Sequence, residues 1–140
     1  GPGNCDELNI ITAGENYGHP EASFPEEDPL CLERAGIKPI YLYTKPDMSP
    51  EVFQSNVAPT GMHFVSADVY PSLGDALLSC EFNTGFMRRL LVAGHKLNHV
   101  VDDSIAMEAC NLAVTTDPDG IVYYSGLREI RRLLPSSQPE

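Results

Sequence analysis

The chain has 140 residues, enough for one ordinary domain with a core and too few for two well-sized ones. Hydrophobic residues make up 42% and charged residues 21%, which excludes a disordered segment held open by its own charge. A formal net charge of −11 with no offsetting basic stripe argues against a nucleic-acid partner, and no apolar run is long enough to span a membrane.

Twelve prolines and eleven glycines are scattered along the chain and punctuate short elements. The first predicted strand is Glu7 to Thr12 (ELNIIT), stopped by Gly14 and the turn Asn16-Tyr17-Gly18-His19-Pro20. Residues 21–36 are acidic and irregular and read as a surface loop. Ile40 to Thr44 (IYLYT) is rich in β-branched and aromatic residues, hence a strand. Gly61 to Ser66 is another. Asp75 to Phe82 and Phe86 to Val92 flank Asn83-Thr84-Gly85, a hairpin turn whose glycine tolerates positive φ. Lys96 to Val101 follows the turn Ala93-Gly94-His95. Leu112 to Thr116 precedes Asp117-Pro118-Asp119-Gly120, where proline presets φ and glycine accepts φ > 0. Ile121 to Tyr124 and Glu129 to Leu134 close the series, and residues 135–140 read as a disordered tail.

Roughly nine or ten short strands with little helix predict an all-β fold, whether sandwich, barrel or propeller. From Gly61 to Leu134 the cadence of strand, tight turn and strand is that of propeller blades. A four-stranded blade takes about 40–50 residues, so the chain holds two to three.

The polar clusters invite structural readings. Arg88-Arg89 and the group Arg128, Arg131 and Arg132 read as solvated charge flanking strands. Asp102-Asp103 and Glu26-Glu27-Asp28 read as solvated acidic loops. His95 and His99 are four apart, a metal-ligand spacing only on a helix, and they flank a hairpin; His19 and His63 stand alone. Cys5, Cys31, Cys80 and Cys110 permit one or two disulfides with the pairing open, and buried free thiols are the favoured reading. The Met and aromatic residues of 61–66 and 86–91 read as core.

Three stretches carry a family resemblance. The first is Gly1-Pro2-Gly3-Asn4-Cys5-Asp6-Glu7-Leu8-Asn9, followed by Asn16-Tyr17-Gly18-His19-Pro20. The second is Ala58-Pro59-Thr60-Gly61-Met62-His63-Phe64. The third is Pro118-Asp119-Gly120-Ile121-Val122-Tyr123, leading to Arg128-Glu129-Ile130. In order and spacing they resemble the glucose/sorbosone dehydrogenase family, which includes soluble quinoprotein glucose dehydrogenases and aldose dehydrogenases.

The resemblance implies a six-bladed β-propeller of which residues 1–134 are the last two to three four-stranded blades. It implies oxidation of an aldose with pyrroloquinoline quinone and calcium, the quinone supplying the electron chemistry. The carbonyls of Gly1 and Pro2 would hold the quinone-bound calcium. Glu7 and the main-chain oxygen of Tyr17 would hold a second, structural calcium. The partners implied are a small-molecule sugar and the remaining blades, in the periplasm or outside the cell. The general base and sugar ligands would lie upstream of Gly1, so no catalytic residue is expected in this chain, which alone would be inactive.

The sequence also departs from the family. A lysine expected in one hairpin falls on Asn83, and an Arg-x-Arg pair falls on Cys110 and Leu112. Those cations would pair the quinone's carboxylates. A tryptophan expected after Tyr17-Gly18 is His19. The alternative expectation is a quinone-free, calcium-stabilised propeller that binds carbohydrate or protein. An open fragment of such a fold would also expose sheet edges through which copies associate.

Overall fold

The structure, a computed structural model, describes residues 6–17, 36–43 and 57–135 and forms no helix among them. The chain divides into two compact units, Gly1–Ala58 and Pro59–Glu140.

In the first unit β1 (Glu7–Leu8) pairs antiparallel with β2 (Tyr41–Leu42), Glu7 opposite Leu42 and Leu8 opposite Tyr41. Ile40 N–H donates to Leu8 O at 2.9 Å and Tyr43 N–H to Asp6 O at 3.0 Å, which lengthens the ladder by a step at each end. Leu8 and Tyr43 are buried. The strand expected through Thr12 stops at Leu8. A local turn uses the backbone groups beyond it. The Tyr17 hydroxyl accepts the Thr12 N–H and donates to Ile10 O at 2.9 Å, and Glu15 N–H donates to Thr12 O. Groups spent on the turn are not available to a ladder. The acidic stretch before Gly36, residues Gly18 to Pro20, Thr44 and residues 136–140 lie outside the described residues.

The second unit contains two antiparallel sheets. The larger is a meander of β3 (Pro59–Val65), β4 (Ala76–Glu81), β5 (Phe86–Ala93) and β6 (His99–Glu108). The smaller is β7 (Ala113–Thr116), β8 (Val122–Ser125) and β9 (Ile130–Arg132). Strand alternation sends Val65, Ala76, Leu78, Cys80 and Met87 to one face, where they meet Val114, Val122 and Tyr124 of the smaller sheet. β4 is buried along its whole length. Met62 and Phe64, expected in the core, are exposed, because they occupy the other face of β3.

Two contacts among several fix the sheets together. A Cβ on Gly61 would lie 2.6 Å from Ala113 Cα and 2.9 Å from Val114 N, so the β3 backbone runs directly against β7. The buried Tyr70 places its hydroxyl between β8 and the segment after β9: it accepts the Val122 N–H at 2.9 Å and donates to Leu133 O at 3.0 Å.

The Asn83-Thr84-Gly85 and Asp117-Pro118-Asp119-Gly120 turns form where their residues predict, whereas the turn expected at Ala93-Gly94-His95 closes from Gly94 to Leu97. Gly85 and Gly120 have φ of 72° and 81°, and Asp117 Oδ1 accepts the Asp119 and Ile121 N–H groups. The sixth strand is longer than expected, running to Glu108 and taking in Asp102 and Asp103. These aspartates are therefore not a loop. Asp102 faces Leu91 and Asp103 faces Leu90, and their carboxylates reach Arg89 and Arg88 of β5, whose charge makes an acidic strand tolerable.

Candidate functional site

Four chain segments converge at one end of the two sheets: the start of β3, the β4–β5 turn, the β6–β7 connection and the β8–β9 turn. Ala109 takes a left-handed conformation, φ 62°, and swings the chain off the end of β6. Cys110 then lies across the β4–β5 hairpin. Its N–H donates to Gly85 O at 2.9 Å, and its carbonyl accepts the Glu81 N–H at 3.1 Å. Asn111 Nδ2 donates to Phe82 O at 2.9 Å. The N–H groups of Asn111 and Leu112 both donate to Ser125 O. Thr60 Oγ1 donates to Asn111 O at 3.0 Å.

A disulfide joins Cys80 to Cys110, with Cα atoms 5.0 Å apart. The reading of these two as free buried thiols is thereby corrected, and no cysteine is free among the described residues. The pairing spans 30 residues and arises only when the β6–β7 connection folds back on β4. Cys5 and Cys31 lie outside the described residues.

Beside the disulfide sits a buried charge pair. Glu81, fully buried, accepts from Arg88 Nε through Oε1 and from the Thr84 hydroxyl through Oε2. Arg88 Nη1 reaches Asp103 Oδ2 at 3.0 Å. Arg89 donates to Leu73 O and pairs with Asp102 at 2.8 Å. The expectation that Arg88-Arg89 is solvated charge is corrected: both sit within β5, Arg88 is buried, and cross-strand carboxylates hold them. Arg128, Arg131 and Arg132 are exposed as expected, Arg131 pairing with Glu129 at 2.9 Å.

This end of the sheets is where the resemblance implies cations for quinone carboxylates. The residues present do not fit that role. Asn83 is an exposed, neutral residue of the β4–β5 turn. Cys110 is fully buried and its sulfur is committed to Cys80. Leu112 is exposed and apolar. Arg88 and Arg89, the cations of the adjoining strand, already have carboxylate partners.

The calcium positions differ. Gly1 and Pro2 lie outside the described residues. Glu7 is half-buried on β1. The Tyr17 hydroxyl is used in the local turn, so its main-chain oxygen remains the group the resemblance assigns. Asn9, two residues beyond Glu7, is a further candidate that the sequence pattern does not single out. Its Oδ1 is buried and has no hydrogen-bond partner. A buried amide oxygen without a partner is a donor calcium takes, so Asn9 is compatible with the ion the resemblance implies. Among the described residues no three His, Cys, Asp or Glu side chains cluster, and main-chain and amide oxygens would have to complete the coordination. Asp6 is equally unmarked in the sequence: it is buried, and its Oδ2 accepts the Ala58 N–H at 2.8 Å, across a long stretch of chain.

Of the histidines, His19 lies outside the described residues. His63 Nε2 is 3.0 Å from Thr116 Oγ1, tying β3 to β7, and His95 and His99 flank the β5–β6 turn. A shallow groove of about 150 Å³ lies on the smaller sheet, lined by Ala113, Thr115, Tyr123, Tyr124, Ser125 and Ile130. It carries no ionisable acid or base near neutral pH.

A family model described as Glucose / Sorbosone dehydrogenase matches residues 1–129. Two solved structures of glucose dehydrogenases align with TM-scores of 0.68 at 22% and 23% identity. They cover 99% of this chain but only 40% and 39% of their own. A third, a putative oxidoreductase (glucose dehydrogenase) from Thermus thermophilus, aligns at TM-score 0.62 and 23% identity over 96% of this chain and 38% of its own. The chain thus spans about two-fifths of the length of these structures. It has their fold, an all-β propeller fragment of antiparallel sheets. No curated protein matches the chain significantly.

Proposed function

The chain belongs to the glucose/sorbosone dehydrogenase family, and on that premise we propose that it is the late-blade part of an enzyme that oxidises an aldose at its anomeric or aldehyde carbon. The family match across residues 1–129 is the observation that carries this reading. The sugar ligands and the general base are contributed by the remaining blades. This chain contributes scaffold: a calcium-binding segment in its first unit and a cross-linked rim in its second.

As the resemblance implies, the carbonyls of Gly1 and Pro2 would hold one calcium, and Glu7 with Tyr17 O would hold a second. The orphaned Asn9 Oδ1 supports the second position. Bound there, the ion would supply positive charge, with Glu7 and Tyr17 O as the residues that would hold it. Pyrroloquinoline quinone is the family's redox group and would supply the electron chemistry when bound. The Cys80–Cys110 disulfide supports an exported protein, periplasmic or extracellular, since such bonds persist in oxidising compartments.

The test is an assay of the full-length protein with quinone, calcium and a panel of aldoses, coupled to a dye acceptor. Turnover of an aldose is expected. No turnover, with no quinone absorbance on the protein, sinks the reading. The neutral groups at 83, 110 and 112 favour a second one, a quinone-free, calcium-stabilised module that binds carbohydrate or protein. Quinone binding in titration calorimetry would dismiss that second reading.

A further inference from the structure

We propose that the Cys80–Cys110 disulfide, together with the hydrogen bonds around it, has replaced an anionic ligand as the link between the β4–β5 hairpin and the β6–β7 connection, so that this rim does not hold the quinone's carboxylates. The proposal rests on the chain being the late-blade part of a sugar dehydrogenase-type propeller, and it concerns only how the rim is built.

The physical case has three parts. First, a ligand that bridged these two loops would need donors directed at it. The Cys110 N–H is spent on Gly85 O, the Glu81 N–H on Cys110 O, and Asn111 Nδ2 on Phe82 O. Second, a carboxylate that leaves water for a rim needs a counter-charge there. The positions available offer an amide, a disulfide sulfur and an isobutyl group, while Arg88 is held by Glu81 and Asp103. Third, the mechanical role of such a ligand is already filled. The two loops are joined covalently at Cys80–Cys110, and Thr60 Oγ1 ties the start of β3 to Asn111 O.

The test uses the full-length protein in calcium buffer, with pyrroloquinoline quinone as the titrant. Three preparations are compared: wild type, Asn83→Ala with Leu112→Ala, and Asn83→Lys with Leu112→Arg. The alanine pair is expected to leave quinone affinity within about threefold of wild type, or to leave undetectable binding undetectable. The cationic pair is expected to raise affinity by about tenfold or more, because it installs the charges the rim lacks. A loss of about tenfold in the alanine pair overturns the proposal.

A second measurement covers the disulfide. In a Cys80→Ala, Cys110→Ala variant, amide exchange at Gly85 and Cys110 is expected to rise about tenfold or more, and saturating quinone is expected not to restore protection. Protection restored by quinone overturns the proposal. Aldose turnover, recorded in parallel, separates the two readings. Turnover with an affinity unchanged in the alanine pair supports both. An unchanged affinity in the alanine pair without turnover defeats the proposed function and leaves the rim proposal standing. A large affinity loss with turnover intact does the reverse.

Discussion

Two regions to which the family assigns ligands are built in opposite ways. Around Glu7 and Tyr17 the sequence carries the residues the resemblance expects, and the structure leaves Asn9 Oδ1 buried without a donor. Around Asn83, Cys110 and Leu112 the sequence departs from what the resemblance expects, and the loops are closed by a disulfide and by hydrogen bonds to one another. An orphaned buried acceptor costs stability until something binds it. A cross-linked rim is complete by itself. The first region is thus arranged to gain from a cation, and the second has little left to gain from an anion.

Four perturbations would break or sharpen that contrast. The largest effect is expected from Arg88→Met, which strands the buried Glu81 carboxylate and should cost about 3–5 kcal/mol in denaturant unfolding. Adding Glu81→Leu should recover most of the loss, because the uncompensated charge is gone. If the double variant is no better than the single one, the pair is not what organises the rim. Next, removing the disulfide by Cys80→Ala and Cys110→Ala should cost about 3.5 kcal/mol, the chain-entropy value for a loop of roughly 30 residues. Wild type with reductant should show a similar loss.

Calcium tests the other region. At a free concentration of about 100 times Kd the ion should add about 2.7 kcal/mol, read as a rise in melting temperature that a chelator reverses. Glu7→Gln should abolish most of that rise and Asn9→Ala part of it, while Asn83→Ala leaves it unchanged. An equal rise in all three variants would remove calcium from this region. The smallest effect expected is about 1–3 kcal/mol for Tyr70→Phe, which leaves the Val122 N–H without its acceptor inside the sheet. It should lower stability without moving the calcium response.

Legibility in the sequence follows the range of the interaction. The Asn83-Thr84-Gly85 and Asp117-Pro118-Asp119-Gly120 turns are readable because their conformations are set within four residues. Most strands fall within a few residues of where alternation puts them, since alternation is local. The sixth strand reads short because Asp102-Asp103 looks like a solvated loop until Arg88 and Arg89 are seen one strand away. The burial of Arg88, the Cys80–Cys110 bond and the Asp6–Ala58 contact depend on residues 7 to 52 positions apart, and no local pattern marks them. The first strand differs for another reason: a tyrosine hydroxyl at position 17 outcompetes the ladder for the groups of Ile10 and Thr12. The candidate ligands come from the resemblance. Asn9 stands within the same motif, yet nothing but its burial sets it apart.

Contact between the two sheets of the second unit concentrates on β3 and β7, where main chain meets main chain at Gly61. That point acts as the apex of a wedge. A single hydrogen in place of a side chain lets the two layers pinch together there, while bulkier residues hold them apart elsewhere. Even a methyl group would be a shim at the apex, prising β3 from β7 and tilting one layer against the other. The closeness of the two layers at this point is therefore set by an atom that is missing from residue 61.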